Sequence, residues 1–185
     1  MKYINLRIIL VLVFVSIICS TILALGYQIS YSRIKKNKEI DLENSMKKVL
    51  PSLFFKEEVK GYKDLYYAFD KDKKLLGYIF ISEGQGYQDK IILIGALTKD
   101  LTSLLGIEIV ESKETPGLGA KINDLDFKKQ FNNLKIDKPI ECLKTKKLAN
   151  YQVNAISGAT VSSESVVKII NNKIREIKEK FKNEK

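Results

Sequence analysis

The chain has 185 residues, 45% of them hydrophobic and 29% charged, which is the composition of a folded globular protein rather than a disordered one. It contains no histidine, which excludes Ser-His-Asp catalysis, histidine-ligated haem and most zinc sites. Cys19 lies in an apolar segment and leaves Cys142 without a soluble partner, which argues against an iron–sulfur cluster and an intrachain disulfide. Any redox chemistry therefore requires an organic cofactor. The net charge of +10 comes from lysines spread among acidic residues, which predicts a solvated surface and no nucleic-acid partner.

The first predicted element is an uncharged apolar segment from Ile8 to Tyr27. About 20 apolar residues in a helix cover the hydrocarbon core of a bilayer, so residues 1–30 are predicted to be a transmembrane anchor. A cleaved signal peptide is the alternative, because Ala24-Leu25-Gly26 offers the small residues that signal peptidases recognise. The apolar run is longer than a usual signal core, which favours an uncleaved anchor.

The charges that flank the apolar segment leave its orientation open. Two basic residues precede it, Lys2 and Arg7, and four follow it, Arg33, Lys35, Lys36 and Lys38. The positive-inside rule alone would place the rest of the chain in the cytoplasm, but the rule weakens when a long folded domain follows the span.

Residues 31–60 are predicted to form a juxtamembrane helical segment that continues from the anchor and ends near Pro51, since proline interrupts a helix. Strand-like runs follow, rich in Tyr, Ile, Phe and Val and separated by turn-prone residues. These runs are Leu65–Phe69, Leu75–Ser82, Ile91–Leu97 and Leu104–Val110.

The rest of the chain predicts helices packed on a sheet. Asp124–Phe131 reads as a short helix capped by Asp124, and Pro139–Leu143 as a further strand. The last element is an amphipathic helix, because apolar residues recur along it at helical spacing: Val167, Ile170, Ile174, Ile177 and Phe181. Residues 61–185 are therefore predicted to be an α+β domain, an antiparallel sheet with flanking helices, preceded by one N-terminal transmembrane helix.

One segment with unusual chemistry comes directly before the final helix: Ser157-Gly158-Ala159-Thr160-Val161-Ser162-Ser163. Small residues let a ligand approach the backbone, and the free N–H groups of a first helical turn favour an anion. With its hydroxyls, the segment is a candidate phosphate site. The alternative is that Ser162 caps the helix and the glycine makes a turn, and spacing alone favours that alternative.

A second such segment is Glu114-Thr115-Pro116-Gly117-Leu118-Gly119-Ala120, which follows an apolar strand. Proline followed by Gly-x-Gly is typical of a loop with positive φ angles, and by itself indicates a connecting turn. Gly84-Gln85-Gly86-Tyr87 indicates a hairpin loop, whose tyrosine could cover an aromatic ligand or simply pack.

Taken together, these motifs resemble the FMN-binding domain of the G subunit of Rnf electron-transport complexes, which are ion-translocating ferredoxin:NAD oxidoreductases. The resemblance is carried by ETPGLGAKI at 114–122, the spaced pair Phe127 and Phe131, and SGATVSS at 157–163. It extends from Gly84 to the end of the final helix. The C subunit of the sodium-pumping NADH:quinone reductase shares both loops but is a longer protein, so a length of 185 residues favours the Rnf family.

The resemblance implies that Thr160 carries FMN covalently, as a phosphoester formed when a separate flavin transferase moves the FMN portion of FAD onto its hydroxyl. The two loops would hold the cofactor, and no metal is expected. The further cofactor-binding residues implied are Ser157, Gly158, Ala159, Ser162, Ser163, Glu114, Thr115, Gly117, Leu118 and Gly119.

The resemblance also implies a function. The chain would be an electron-relay subunit, without independent catalysis, in a complex that passes electrons between ferredoxin and NAD and moves Na⁺ or H⁺. Its partners would be the other subunits of the complex, and its soluble domain would lie on the extracytoplasmic face of the cytoplasmic membrane. The alternatives are a stand-alone anchored flavoprotein, the C subunit of the sodium-pumping reductase, and an anchored binding module without a cofactor.

Overall fold

The computed structural model describes residues 6–145 and 149–183, and the chain divides into two compact units, Met1–Asp41 and Leu42–Lys185. The described part of the first unit is helical and belongs to helix α1, Leu6–Val49. This is the one helix among the described residues that is long and apolar enough to cross a membrane. Three hydroxyls within its apolar run, those of Ser16, Ser20 and Thr21, each donate to a carbonyl one turn earlier at 2.7–2.8 Å. These donors are therefore satisfied inside the helix, as an apolar solvent requires.

The second unit is built on an antiparallel sheet whose six strands lie in sequence order, each beside the next. Its strands are β1 Phe55–Glu58, β2 Leu65–Phe69, β3 Leu75–Gln85, β4 Lys90–Thr98, β5 Ser103–Ser112 and β6 Leu134–Lys135. The remaining elements are a 3-10 helix Gly119–Asn123, α2 Leu125–Lys129, the paired strands β7 Glu141–Leu143 and β8 Gln152–Asn154, and α3 Thr160–Asn183.

Both faces of the sheet are buried. Successive residues of a strand point to opposite faces, so Phe80 packs into one apolar cluster and its neighbour Ile79 into another. The first cluster includes the inner face of α3, represented by Ile170 and Ile177, which are fully buried. The second includes Met46, from the last turns of α1. The sheet is therefore covered by α3 on one face and by the end of α1 on the other.

Two amide side chains fix the elements that lead to the start of α3. Asn171 of α3 accepts the N–H of Ile140 at 2.9 Å and donates to the carbonyl of Ile140 at 2.8 Å. Gln130, which ends α2, bonds both backbone groups of Asn154 in the same way, at 2.7 and 3.2 Å. Asn154 is the last residue of β8, so these two hydrogen bonds fix the position from which the chain turns into α3.

The predicted α+β class and antiparallel sheet are confirmed, and β2, β3, β4 and β5 coincide with the predicted strands within a few residues. The helix predicted to end near Pro51 ends at Val49. The segment 31–60 is not wholly helical, however, because β1 lies in it as an exposed edge strand.

Two local predictions need correction. Asp124 stands at the start of α2, but its side chain makes no capping hydrogen bond, and its own N–H donates to the carbonyl of Lys121. The strand predicted at Pro139–Leu143 is only β7, Glu141–Leu143. It pairs in parallel with β8 in a separate two-stranded sheet rather than joining the main one.

Candidate functional site

Helix α3 begins at Thr160, after a tight turn. The N–H of Ala159 donates to the carbonyl of Ile156 at 3.0 Å, and Gly158 takes a positive φ of 79°, which glycine adopts without strain. The first hydrogen bond of the helix runs from the N–H of Ser163 to the carbonyl of Ala159. The N–H groups of residues 160–162 therefore have no partner inside the helix, and they stand at the positive end of a 24-residue helix dipole.

Two of the hydroxyls in the predicted phosphate segment, those of Ser162 and Ser163, already have hydrogen-bond partners in the protein. Ser162 donates to Oε2 of Glu114 at 2.6 Å, so it does not cap the helix. Ser163 donates to the carbonyl of Ala159 and accepts the N–H of Ile156. Neither hydroxyl has a proton left for a ligand.

The hydroxyl of Thr160 has no hydrogen-bond partner within residues 6–145 and 149–183. Among the described residues, no side-chain oxygen or nitrogen that is buried lacks a partner. The Oγ1 atom of Thr160 must therefore be accessible to solvent, which leaves it as the available hydroxyl at the start of α3.

The loop after β5 brings Glu114 beneath this helix start. Glu114 is 5% exposed, and its two oxygens accept hydrogen bonds from Ser162 and from the backbone N–H of Gln88. Thr115 donates from Oγ1 to Oε1 of the Gln88 side chain at 3.0 Å. The hairpin loop between β3 and β4, the loop after β5 and the start of α3 therefore meet at one place.

A surface charge pair adds to this junction. The carboxylate of Asp89, at the end of the hairpin loop, accepts the N–H of Lys90 and lies 3.2 Å from Nζ of Lys113. The backbone hydrogen bond and the neighbouring ammonium lower the pKa of Asp89 below its usual value. The ion pair joins the hairpin loop to the loop after β5. Because both side chains are exposed, it contributes little to the stability of the fold.

A groove of about 380 Å³ opens where the three segments meet. Its walls include three large apolar side chains that are unusually exposed: Tyr87 at 70%, Leu118 at 49% and Val161 at 51%. The remaining lining residues are Glu114, Thr115, Gly119, Gly158, Ala159, Thr160 and Ser162. The groove therefore joins an apolar rim to a helix N-terminus with a free hydroxyl, which suits a ligand with an aromatic part and an anionic part.

Comparison with known proteins shows which family the chain belongs to. The family described as the FMN-binding domain matches residues 86–175, a range that contains every residue lining the groove. The chain is 31% identical over 170 residues to the G subunit of the ion-translocating oxidoreductase complex of Methanosarcina acetivorans, covering 87% of this chain and 88% of that protein. The chain belongs to the family of G subunits of ion-translocating oxidoreductase complexes.

A second member of this G-subunit family belongs to the proton-translocating ferredoxin:NAD(+) oxidoreductase complex of Clostridium ljungdahlii. It is 32% identical over 161 residues, which cover 86% of this chain and 84% of that protein. Among solved structures, the C subunit of the Na(+)-translocating NADH-quinone reductase of Parabacteroides distasonis superposes with a TM-score of 0.52 and 28% identity. That match covers 58% of this chain and 57% of the other, less than two thirds of its length. The predicted family is confirmed.

Most of the site residues predicted for this G-subunit homologue line the groove. Three do not: Ser157 is exposed outside it, Gly117 makes a turn with a φ of 77°, and Ser163 is buried behind it. Two further residues take part in the site although the sequence did not indicate them. Val161 lines the groove, and the backbone N–H of Gln88 donates to Glu114. Val161 lies within the SGATVSS motif, and an apolar residue directly after Thr160 at the predicted start of the final helix was the available sequence signal.

Proposed function

We propose that Thr160 carries FMN through a phosphoester bond and that the chain is the electron-relay subunit of an ion-translocating ferredoxin:NAD oxidoreductase. The observation that carries this proposal is the pairing of the hydroxyls at the start of α3. Ser162 and Ser163 are engaged, whereas Thr160 is unpaired within the described residues and accessible, beside unpaired N–H groups.

The groove fits both ends of the cofactor. A phosphate on Oγ1 of Thr160 would be held by the backbone N–H groups of the first helical turn and by the helix dipole. The exposed side chains of Tyr87, Leu118 and Val161 would cover the aromatic ring, which explains why three large apolar groups line a groove open to water. Bound flavin supplies one- and two-electron redox chemistry, which the amino acids of this chain do not.

From this chain, attachment would use the hydroxyl of Thr160, which lies in the groove and has no hydrogen-bond partner among the described residues. Oγ1 of Thr160 would form a bond to the phosphorus of the FMN half of FAD, with the P–O–P bond of FAD breaking, AMP leaving and the hydroxyl proton passing to solvent. A separate flavin transferase would perform this step, and Gly158 and Ala159 leave it room beside the hydroxyl. A covalent bond keeps the cofactor in an open groove from which free FMN would be lost.

Family membership and the apolar length of α1 support a membrane anchor and partner subunits. The apolar part of α1 would cross the cytoplasmic membrane once, with the FMN-binding domain on the extracytoplasmic face beside the other subunits of the complex. Labelling of a Ser157→Cys variant by a membrane-impermeant maleimide in intact cells tests this side, because Ser157 is exposed. Labelling only after the cells are opened would place the domain in the cytoplasm instead.

The direct test is coexpression with a flavin transferase, followed by unfolding and gel electrophoresis. We expect a fluorescent flavin band for the unsubstituted chain and none for Thr160→Ala. Ser157→Ala is the matched control, because it removes a nearby hydroxyl outside the groove and should keep the band. A fluorescent Thr160→Ala band would contradict the assignment. Copurification with multispanning redox subunits would separate the complex from a stand-alone carrier.

A further inference from the structure

The carboxylate of Glu114 joins three segments of the site that are distant in sequence. These are the loop after β5, the hairpin loop between β3 and β4, and the first turn of α3. Glu114 is 5% exposed, and its hydroxyl partner, Ser162, is 2% exposed. Oε1 accepts the N–H of Gln88 at 3.1 Å and Oε2 accepts the hydroxyl of Ser162 at 2.6 Å. The two partners lie 26 and 48 residues away along the chain, one in the hairpin loop and one in the first turn of α3.

The backbone around this carboxylate leaves room for nothing larger than glycine. A Cβ atom on Gly86 would lie 2.4 Å from Oε1 of Glu114. A Cβ on Gly119 would lie 2.6 Å from Oε2 and also 2.6 Å from Oγ of Ser162. Both distances are well inside van der Waals contact, so the loops close on the hydrogen-bonded pair from two sides.

The Ser162 hydroxyl is used in an unusual way for a serine inside a helix. Such hydroxyls commonly donate to a carbonyl one turn earlier, as Ser163 does to Ala159 at 2.9 Å. Ser162 instead donates across to another segment, through the only buried hydrogen bond between two side chains among the described residues. This bond fixes the first turn of α3 against the loop after β5.

We propose that Glu114 and Ser162 are a positioning pair for the flavin site. Their hydrogen bond holds the first turn of α3 so that the Thr160 hydroxyl and the unpaired N–H groups face the groove. Glu114 also places a fixed negative charge in the groove wall, which disfavours the electron-rich reduced cofactor and lowers its reduction potential. This inference rests on the proposed attachment of FMN to Thr160.

Three substitutions separate the hydrogen bond from the charge. Ser162→Ala removes the hydroxyl with little change in volume, and Glu114→Ala removes both hydrogen bonds and the charge. Glu114→Gln removes the charge alone, because its oxygen can accept the N–H of Gln88 while its amide donates to the serine hydroxyl, which can rotate. Glu83→Gln is the matched control, since Glu83 lies on β3 with an exposed carboxylate.

The experiment measures the initial rate of flavin attachment by purified transferase and the midpoint potential of the attached flavin, using full chains in detergent. Ser162→Ala and Glu114→Ala should be loaded at least about tenfold more slowly, the loss expected for a hydrogen bond to a charged group. Glu114→Gln should be loaded at a nearly normal rate but have a higher midpoint potential. Glu83→Gln should change neither. A purely structural role for Glu114 would leave the potential of Glu114→Gln unchanged.

The pair can also be tested without flavin. In the unmodified chain, a double-mutant cycle of urea unfolding with Ser162→Ala, Glu114→Ala and the double variant should show coupling between the two sites, because each single substitution removes the hydrogen bond that joins them. Additive effects, or attachment to Ser162→Ala at the rate of the unsubstituted chain, would overturn the inference. If the unsubstituted chain accepts no flavin, the proposed function is wrong, and the cycle still decides whether the two residues act as a pair.

Discussion

Asn171 holds the middle of α3 to the segment before β7, and its replacement by alanine should lower the free energy of unfolding by about 2 kcal/mol. Its amide bonds both backbone groups of Ile140, at 2.9 and 2.8 Å. Ile140 is 3% exposed, so Asn171→Ala would leave two buried backbone groups unpaired. Each such group costs roughly 1–3 kcal/mol, whereas the better helix propensity of alanine returns about 0.5 kcal/mol. The expected loss lies at the low end because Asn171 is only half-buried and water can enter.

Urea unfolding of the full chain in detergent, followed by tyrosine fluorescence, measures this loss. Asn172→Ala is the control, because Asn172 is exposed and its side chain only accepts a 3.3 Å hydrogen bond from Arg175. The control should stay within about 0.5 kcal/mol of the unsubstituted chain. Equal stability of the two variants would refute the claim that the Asn171 amide holds the backbone of Ile140.

Two further predictions concern partly buried ionisable groups. Lys128→Met should lower the free energy of unfolding by about 1–2 kcal/mol, because Lys128 lies 2.8 Å from Glu108, whose side chain is 12% exposed. Lys48→Met should cost less than about 1 kcal/mol, since Lys48 is 64% exposed and 3.4 Å away, and equal losses in urea would contradict this ranking. Burial raises the pKa of the Cys142 thiol to about 11, so iodoacetamide should alkylate it slowly near neutral pH and faster up to that pKa. A rate that levels off below about pH 9, measured in a Cys19→Ser background, would contradict it.

The sequence predicted those strands whose buried side chains give a recognisable run of apolar residues. β3, β4 and β5 pack on both faces, so they appear as nearly continuous apolar runs. β1 has the sequence Phe-Lys-Glu-Glu, is exposed throughout, and is an edge strand that pairs only with β2. An edge strand of that kind has no hydrophobic alternation, and its position just after a long helix made a helical interpretation the simpler one.

The sequence predicted the two segments of the candidate site separately, but it did not predict that they meet in space. Small residues and hydroxyls before α3 and the Gly-x-Gly loop marked two candidate segments, whereas Thr160 itself was implied only by the resemblance to the G-subunit family. The sequence could not show that Ser162 reaches Glu114, because that contact depends on how β5 and α3 pack. The predicted cap by Asp124 failed for a similar reason: a 3-10 helix precedes α2, and the N–H of Asp124 bonds into it.

Fragmentation of the tryptic peptide that ends at Lys168, from natively expressed protein, tests the central claim most directly. This peptide contains Thr160 and the serines 157, 162, 163 and 165, so fragment ions must locate any modification on one hydroxyl. We expect the mass of FMN less one water on Thr160, with every serine unmodified. An unmodified peptide from cells that contain the transferase, or FMN on a serine, would contradict the account.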